Sequence, residues 1–226
     1  MKTQPNIVKI SKSVADEWIS KKHYRRTLGI FWEGFALIEN DQIQGIVCYG
    51  QPSPSIQKYA FRDKDFRLYE LTRLVVQTKT PNGASMLIGG SLKLLSKKPA
   101  AIISYADSSM GHCGIVYQAT NWIYTGTPAA SGPMYVVNGE KLHRLTIQDR
   151  FECKSIVKWA KENNIEEVPP TIKHRYFTFV GNKKERKSMR ARLKYEEVSP
   201  YPKCDPARYD AGPQLETDYH HQGELF

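Results

Sequence analysis

Between Leu68 and Thr125, apolar runs of strand length alternate with helix-length segments across short turns, an order that few layered topologies can bury. Residues 68–76 read as a strand, 77–84 as a turn and 85–96 as a helix. A strand at 100–104, a turn, a helix at 111–121 and a strand at 122–125 follow. Ala100-Ala101-Ile102-Ile103-Ser104 is apolar enough to be buried on both faces, and Gly111 opens the next helix. The polar run Tyr105-Ala106-Asp107-Ser108-Ser109 therefore falls at a strand-to-helix junction, where α/β folds place their chemistry.

The flanks extend this unit. Apolar Val14, Trp18 and Ile19 at helical spacing predict a helix over 14–22 with Ser13 as its N-cap. Strands at 31–39 and 44–49 joined at Asn40-Asp41 predict a hairpin. The proline-bearing stretch 51–65 reads as a loop that covers a site, and 127–133 as a second loop. A second hairpin is expected at 134–137 and 141–145 around Asn138-Gly139, then a helix at 153–163 and a strand at 175–180. Residues from about 203 onward carry few aliphatics and read as a tail ordered only on contact, or disordered. The organisation expected is one domain over 1–180 with a basic segment and flexible tail over 181–226.

No apolar run approaches the roughly 20 residues that cross a bilayer, and the first residues lack the apolar stretch of a signal peptide, so a cytoplasmic protein with no membrane partner is expected. Cys48, Cys113, Cys153 and Cys204 lie far apart with no C-x-x-C spacing. They read as reduced thiols, with Cys48 buried on a strand, rather than as a disulfide framework or zinc site. The formal net charge of +10 is concentrated. Residues 173–194 hold nine cations against one acid, Glu185. That clustering is the footprint of a polyanion partner such as a nucleic acid, with Lys183, Lys184, Arg186, Lys187, Arg190 and Arg192 as the candidate contacts, and a solvated basic helix is the competing reading.

Within the strand at 68–76, regular alternation puts Glu70 and Thr72 on one face and Tyr69, Leu71 and Arg73 on the other. An arginine in an apolar strand is costly unless paired or facing a polar pocket, which makes Arg73 a candidate to hold a carboxylate or phosphate, with Glu70 its counter-ion or a base. Asp107 could take a proton from an amine nucleophile. His112 would face the same crevice from the next helix, which also carries Tyr117. His23-Tyr24 supplies a second imidazole and phenol. The turn Thr80-Pro81-Asn82-Gly83-Ala84-Ser85 opens a helix whose N–H groups could bind a pyrophosphate, so Gly83, Ala84 and Ser85 are the cofactor-binding candidates.

These elements resemble the acyl-cofactor-binding half of the GNAT acyltransferase superfamily, and the wording Tyr-Ala-Asp…Gly-His-x-Gly…Tyr-Gln-Ala-x-Asn-Trp-Ile-Tyr-Thr-Gly resembles the Mom family of phage DNA-modification proteins over roughly residues 15–200. The fold implied is α/β (α+β): a mixed, centrally splayed sheet flanked by helices, with a basic C-terminal extension. The activity implied is conversion of adenine in DNA to a carbamoylmethyl derivative at its exocyclic amine, which shields phage DNA from restriction. The resemblance carries over His23, Tyr24, Arg73, Asp107 and Tyr117 as active-site positions, and implies that Tyr117 protonates a leaving group as the tyrosine of GNAT-like sites does. Tyr49, Ser104, Tyr105, His112, Gln118 and Asn121 join them as substrate-binding candidates, and Tyr24, Tyr49, Tyr105 and Trp122 as rings on which an extruded base could stack. It adds iron as a cofactor option, for which His23, Asp107 and His112 are the available ligands. The turn at 80–85 keeps one Gly of the usual Arg/Gln-x-x-Gly-x-Gly/Ala loop but lacks its leading residue and second Gly, which argues against acetyl-coenzyme A. The donor is not specified by these residues. Two other readings stand beside this one: an ordinary acyltransferase for a small-molecule or protein amine, and a non-catalytic DNA-binding protein.

Overall fold

The computed structural model describes residues 5–23, 26–77, 81–128, 133–170 and 172–204. Its centre is a seven-stranded mixed sheet in the order β1-β2-β3-β4-β5-β10-β6, built from β1 (Asn6–Ile10), β2 (Glu33–Glu39), β3 (Gln42–Gly50), β4 (Arg67–Val76), β5 (Ala100–Asp107), β10 (Lys173–Val180) and β6 (Ile123–Tyr124). Only β4 and β5 run parallel. Their pairing stops early: Arg67–Glu70 face Ala100–Ile103, and the remainder of each strand diverges. The mixed sheet is thus splayed at its centre, as expected, and the gap opens at the C-terminal ends of β4 and β5.

Alternation along the strands separates two apolar layers. Phe35, Leu37, Val47, Tyr49, Tyr69, Leu71, Ala100 and Ile102 pack under α3 (Gly83–Leu94) through Leu87 and Ile88. The opposite face carries two clusters. Ala36, Ile38, Ile46 and Cys48 meet Ala15, Trp18 and Ile19 of α1 (Lys12–Lys22). Leu68, Ala101, Ile103 and Phe177 meet Ile56 of α2 (Pro54–Tyr59) and Met189 of α7 (Lys183–Arg192). Trp18 and Ile19 are fully buried, and each such side chain is worth about 1.5–3 kcal/mol relative to exposure.

Local chemistry sets the ends of these elements. Ser11, not Ser13, caps α1, because its hydroxyl accepts from Val14 N and Lys12 is already helical. Asn40 and Asp41 both take positive φ (52° and 60°), the tight turn that joins β2 to β3. Pro54 stands in the first turn of α2, so the stretch read as a loop holds a helix that proline starts instead of breaking. The helix expected over 111–121 is shorter: a single 3-10 turn (Ser108–Met110) precedes α4 (Ile115–Ala119), and Gly111 lies between them. Gly114 (φ 86°) sits against the Tyr176 ring, where a Cβ would come within 2.4 Å, so a side chain there would meet both steric and backbone strain.

Residues 134–168 form a small second unit. β7 (Met134–Val137) pairs with β8 (Glu140–His143) and β9 (Glu166–Val168), and α5 (Arg144–Arg150) and α6 (Ile156–Glu162) close over Tyr135, Val137 and Leu142 through Ile147, Ile156 and Ala160. The strand foreseen at 141–145 ends at His143, where α5 begins.

The cysteine expectation is overturned. Cys113 and Cys204 form a disulfide across 91 residues, with Cα atoms 5.9 Å apart. Spacing along the chain does not reveal it, because the pair is created by residues 198–204 running back over α4 and β6: Val198 N donates to Tyr124 O, Tyr201 Oη to Trp122 O and Gln118 Nε2 to Pro202 O. Cys48 is a free buried thiol as expected, and Cys153 is free and half-buried. The tail beyond Cys204 lies outside the described residues. Among the described residues no helix is long and apolar enough to cross a membrane.

Candidate functional site

A break in the β3–β4 ladder builds the site. Cys48 pairs with Arg73 and Tyr49 with Leu71, which leaves Thr72 as an extra residue, its hydroxyl donating to Cys48 O. The bulge reverses the alternation beyond it. Glu70 and Arg73, expected on opposite faces, therefore both face the α1 and α7 side, and the regular-strand expectation is corrected. One cleft at the splay collects Glu70, Leu71, Thr72, Arg73, Tyr105, Asp107 and Lys173.

Arg73 is partly committed to the protein. Its Nε donates to Thr27 O and its Nη1 to Thr72 O, both at 2.7 Å. It thereby holds the segment after α1 against the sheet. Cys48 lies close enough to feel it: burial pushes the thiol up to about 12, and the Arg73 charge pulls the other way. Asp107 is the last residue of β5 rather than the first beyond it, and is buried. It stands opposite Lys173 on β10, as Tyr105 stands opposite Arg175. Burial pushes the Tyr105 phenol up, with the Glu70 charge adding to the shift. Tyr105 is thus a neutral ring lining a charged cleft.

Other candidates lie elsewhere. Ser104 and Tyr117 occupy the α3 side of the sheet, with Ser104 Oγ 2.8 Å from Tyr117 Oη and 2.9 Å from Leu71 O. Tyr117 is buried among Trp122 and Tyr176 and does not line the cleft; it reaches the base of the splay from behind. Tyr49 and Trp122 are core residues rather than stacking surfaces: both are fully buried, and the Tyr49 hydroxyl bonds Ser91 at 2.7 Å. Gln118 binds Cys113 O, Tyr176 Oη and Pro202 O, so it fastens the C-terminal segment rather than a substrate. Asn121 takes φ 58° in the turn that ends α4, a backbone role. His112 is half-buried in the loop before α4 rather than on the helix. Burial lowers its pKa, and the nearby Asp107 charge opposes that shift. His23 is buried at the C-terminal end of α1, its N–H bonding Ile19 O. Tyr24 and Thr80 lie outside the described residues. Gly83, Ala84 and Ser85 form the first turn of α3, and Asn82 before them gives no side-chain cap.

Among the described residues, no group of three His, Cys, Asp or Glu side chains is placed to hold a metal ion. His112 and Asp107 are neighbours, but they do not form such a set with His23.

The basic segment divides. α7 begins with a capping box between Asn182 and Glu185 and buries Met189, which turns Lys183, Lys184, Arg186 and Lys187 to solvent. Arg190 and Arg192, expected to contact DNA, are engaged within the chain. Arg190 pairs with Glu197, and Arg192 bonds Asp65 at 2.7 Å while lying over the Phe66 ring. Sequence reasoning also missed Arg175, which is buried against the Tyr195 ring (3.5 Å) and bonded twice to Thr125. Its place within an apolar strand was the available signal. Lys173, counted only as part of the basic run, lines the cleft.

Residues 5–203 match the model of the Mom protein family. The methylcarbamoylase mom of Escherichia phage Mu is 28% identical over 202 residues, covering 86% of this chain and 82% of that protein. Among solved structures, an acetyltransferase of the GNAT family from Bacillus cereus aligns with 80% of this chain and 100% of its own at 13% identity and a TM-score of 0.40. Arabidopsis thaliana NAA60, in complex with acetyl-CoA, aligns over 79% of this chain and 100% of its own at 11% identity and a TM-score of 0.48.

Proposed function

Because the chain belongs to the Mom protein family, we propose that it is a DNA-modifying transferase that converts adenine in phage DNA, at the exocyclic amine, to a carbamoylmethyl-type derivative and so protects that DNA from restriction. The observation that carries the reading is the cleft at the β4–β5 splay, which brings Glu70, Arg73, Tyr105 and Asp107 together. The name of the phage Mu relative, a methylcarbamoylase, supports transfer of a small amide-bearing group.

The exocyclic amine of adenine takes part in base pairing, so the base must leave the duplex to react. Tyr105, a neutral half-buried ring in the cleft, offers a stacking surface for it. Asp107 at the end of β5 accepts the proton lost by the amine as its nitrogen bonds to the donor carbon. The donor's leaving group departs with its bonding electrons and takes a proton from Tyr117 at the base of the splay. Arg73, fixed from Thr27 and Thr72, orients a polar group of the donor. The exposed cations of α7, on the sheet face to which Glu70 and Arg73 turn, draw in the phosphate backbone.

Nucleoside digestion and mass spectrometry of DNA from cells that make the chain test this directly. A modified adenosine that appears with the wild type and disappears with Asp107→Ala is the expected result. Unmodified adenine throughout would leave a non-catalytic DNA-binding protein as the better reading.

A further inference from the structure

The cleft contains two cations, and they are not equivalent. Arg73 spends its Nε and Nη1 on backbone carbonyls. Lys173 is half-buried at the start of β10, directly opposite Asp107, and lines the cleft. Its side chain makes no hydrogen bond or ion pair among the described residues, although carboxylates of Glu70 and Asp107 line the same cleft. A half-buried ammonium loses part of its hydration, and an anion bonded to it offsets that loss. The outward cations of α7 differ in kind, because they are exposed and keep their water.

We propose that Lys173 is a substrate-binding residue of the cleft, gripping an oxyanion that enters with the reactants. The assignment rests on the functional reading above. Two sources present that chemistry: the DNA phosphate beside the extruded adenine, and an anionic group on the donor. A lysine suits either, since its compact charge needs no fixed bidentate geometry. Placed opposite Asp107, it sets the reacting nucleotide or donor beside the base. Along the chain Lys173 is one more charge of the DNA-facing run, because strand pairing with β5 is what moves it into the site.

The test compares Lys173→Met, Lys173→Arg and Lys187→Met in the full chain. Modified-adenosine yield in cells is one readout. The other is in vitro binding to a duplex carrying 2-aminopurine at the target adenine, whose fluorescence rises on extrusion, with the adjacent linkage either phosphate or neutral methylphosphonate. Lys173→Met should lower yield by roughly tenfold or more, the scale of removing one charge-assisted hydrogen bond. Lys187→Met should lower it much less, and Lys173→Arg should recover part of the yield. If the oxyanion is the DNA phosphate, methylphosphonate weakens wild-type binding and leaves Lys173→Met indifferent. If it belongs to the donor, both proteins ignore the methylphosphonate while Lys173→Met still loses yield. Full yield from Lys173→Met, or a loss no greater than that of Lys187→Met, overturns the assignment alone. A wild-type chain that modifies no adenine overturns the functional reading and this assignment with it.

Discussion

Ser104 Oγ lies 2.8 Å from Tyr117 Oη and 2.9 Å from the Leu71 carbonyl, at the point where β5 no longer pairs with β4. A serine has one hydroxyl proton. Ser104 Oγ is the donor toward both the Leu71 carbonyl and the phenol oxygen, so that proton is shared between them and the Tyr117 hydroxyl is held at the base of the splay. Tyr117→Phe should therefore abolish adenine modification at a stability cost of about 0.5–1.5 kcal/mol, whereas Ser104→Ala removes the donor to the buried Leu71 carbonyl and to the phenol and should cost about 1–3 kcal/mol. Urea melts and nucleoside mass spectrometry on both variants check this. Retained yield in Tyr117→Phe would make Tyr117 a packing residue.

Arg73 couples the site to the segment that follows α1. Arg73→Ala should lose modification and also loosen residues 26–30, because Thr27 O and Thr72 O each lose a donor. Arg73→Lys keeps the charge but cannot reproduce two divergent N–H bonds, so it should restore little of either property. Hydrogen exchange across residues 27–32, measured beside yield, reports the two effects separately. Unchanged exchange in Arg73→Ala would show that the segment is held by something else.

Much of this architecture is legible in the chain. Most strands are legible as apolar runs of strand length, the splayed mixed sheet through the family resemblance, and both hairpins from Asn40-Asp41 and Asn138-Gly139, which favour the positive φ those turns need. What escapes is whatever depends on an irregularity or on distant pairing. A regular strand places Arg73 opposite Glu70, and only the extra residue at Thr72, visible once β3 is alongside, brings them to one cleft. Lys173 and Arg175 look like members of a charge run until β10 inserts beside β5. The Cys113–Cys204 bond spans 91 residues and leaves no local signature. Tyr49 and Gln118 misled for the opposite reason: polar tips suggest a site, yet core and clasp use the same groups.

The imidazole of His112 makes stability depend on pH. Burial lowers its folded-state pKa below the ordinary value, with Asp107 opposing, and burial lowers that of His174 as well. A depressed folded pKa means the unfolded chain binds protons first. The contribution is complete above the unfolded value near 6.5 and is lost as pH falls through the folded values. Melting temperature should thus rise between about pH 5 and pH 7.5. His112→Gln should flatten part of that rise, and Asp107→Asn should move the His112 titration still lower, as read from its ring proton shifts. An upward move in Asp107→Asn would contradict the proximity of the two side chains.

The division within α7 produces a difference in salt dependence. Neutralising Lys183, Lys184, Arg186 and Lys187 together should weaken binding to all DNA sequences and flatten the plot of log affinity against log salt by about 0.9 for each phosphate no longer neutralised. Arg192→Ala should act differently. Its guanidinium bonds Asp65, holding that carboxyl below the usual range, and covers Phe66, so the effect should appear in the melting temperature with the salt slope little changed. Equal flattening by Arg192→Ala would return it to the DNA-binding surface.

The C-terminal segment is fastened at Val198, Tyr201, Pro202 and Cys204, and these attachments converge on α4 and β6, around Tyr117. Three of the four are hydrogen bonds worth about 0.5–1.5 kcal/mol each, whereas a disulfide closing a long loop is typically worth about 2–4 kcal/mol, mainly by restricting the unfolded chain. Cys204→Ser should therefore lower stability by more than Tyr201→Phe, and a reducing agent should lower the wild type to the level of Cys204→Ser without affecting that variant. Cys113→Ser should match Cys204→Ser, since either substitution opens the same loop. Because Cys113 O also accepts from Tyr176 Oη and Gln118 Nε2 through its backbone, those hydrogen bonds survive the substitution, and α4 should keep Tyr117 in place. Modification yield should then fall only in proportion to the folded fraction. A reductant that leaves the wild-type melting temperature unmoved would mean that the two thiols are not joined in solution.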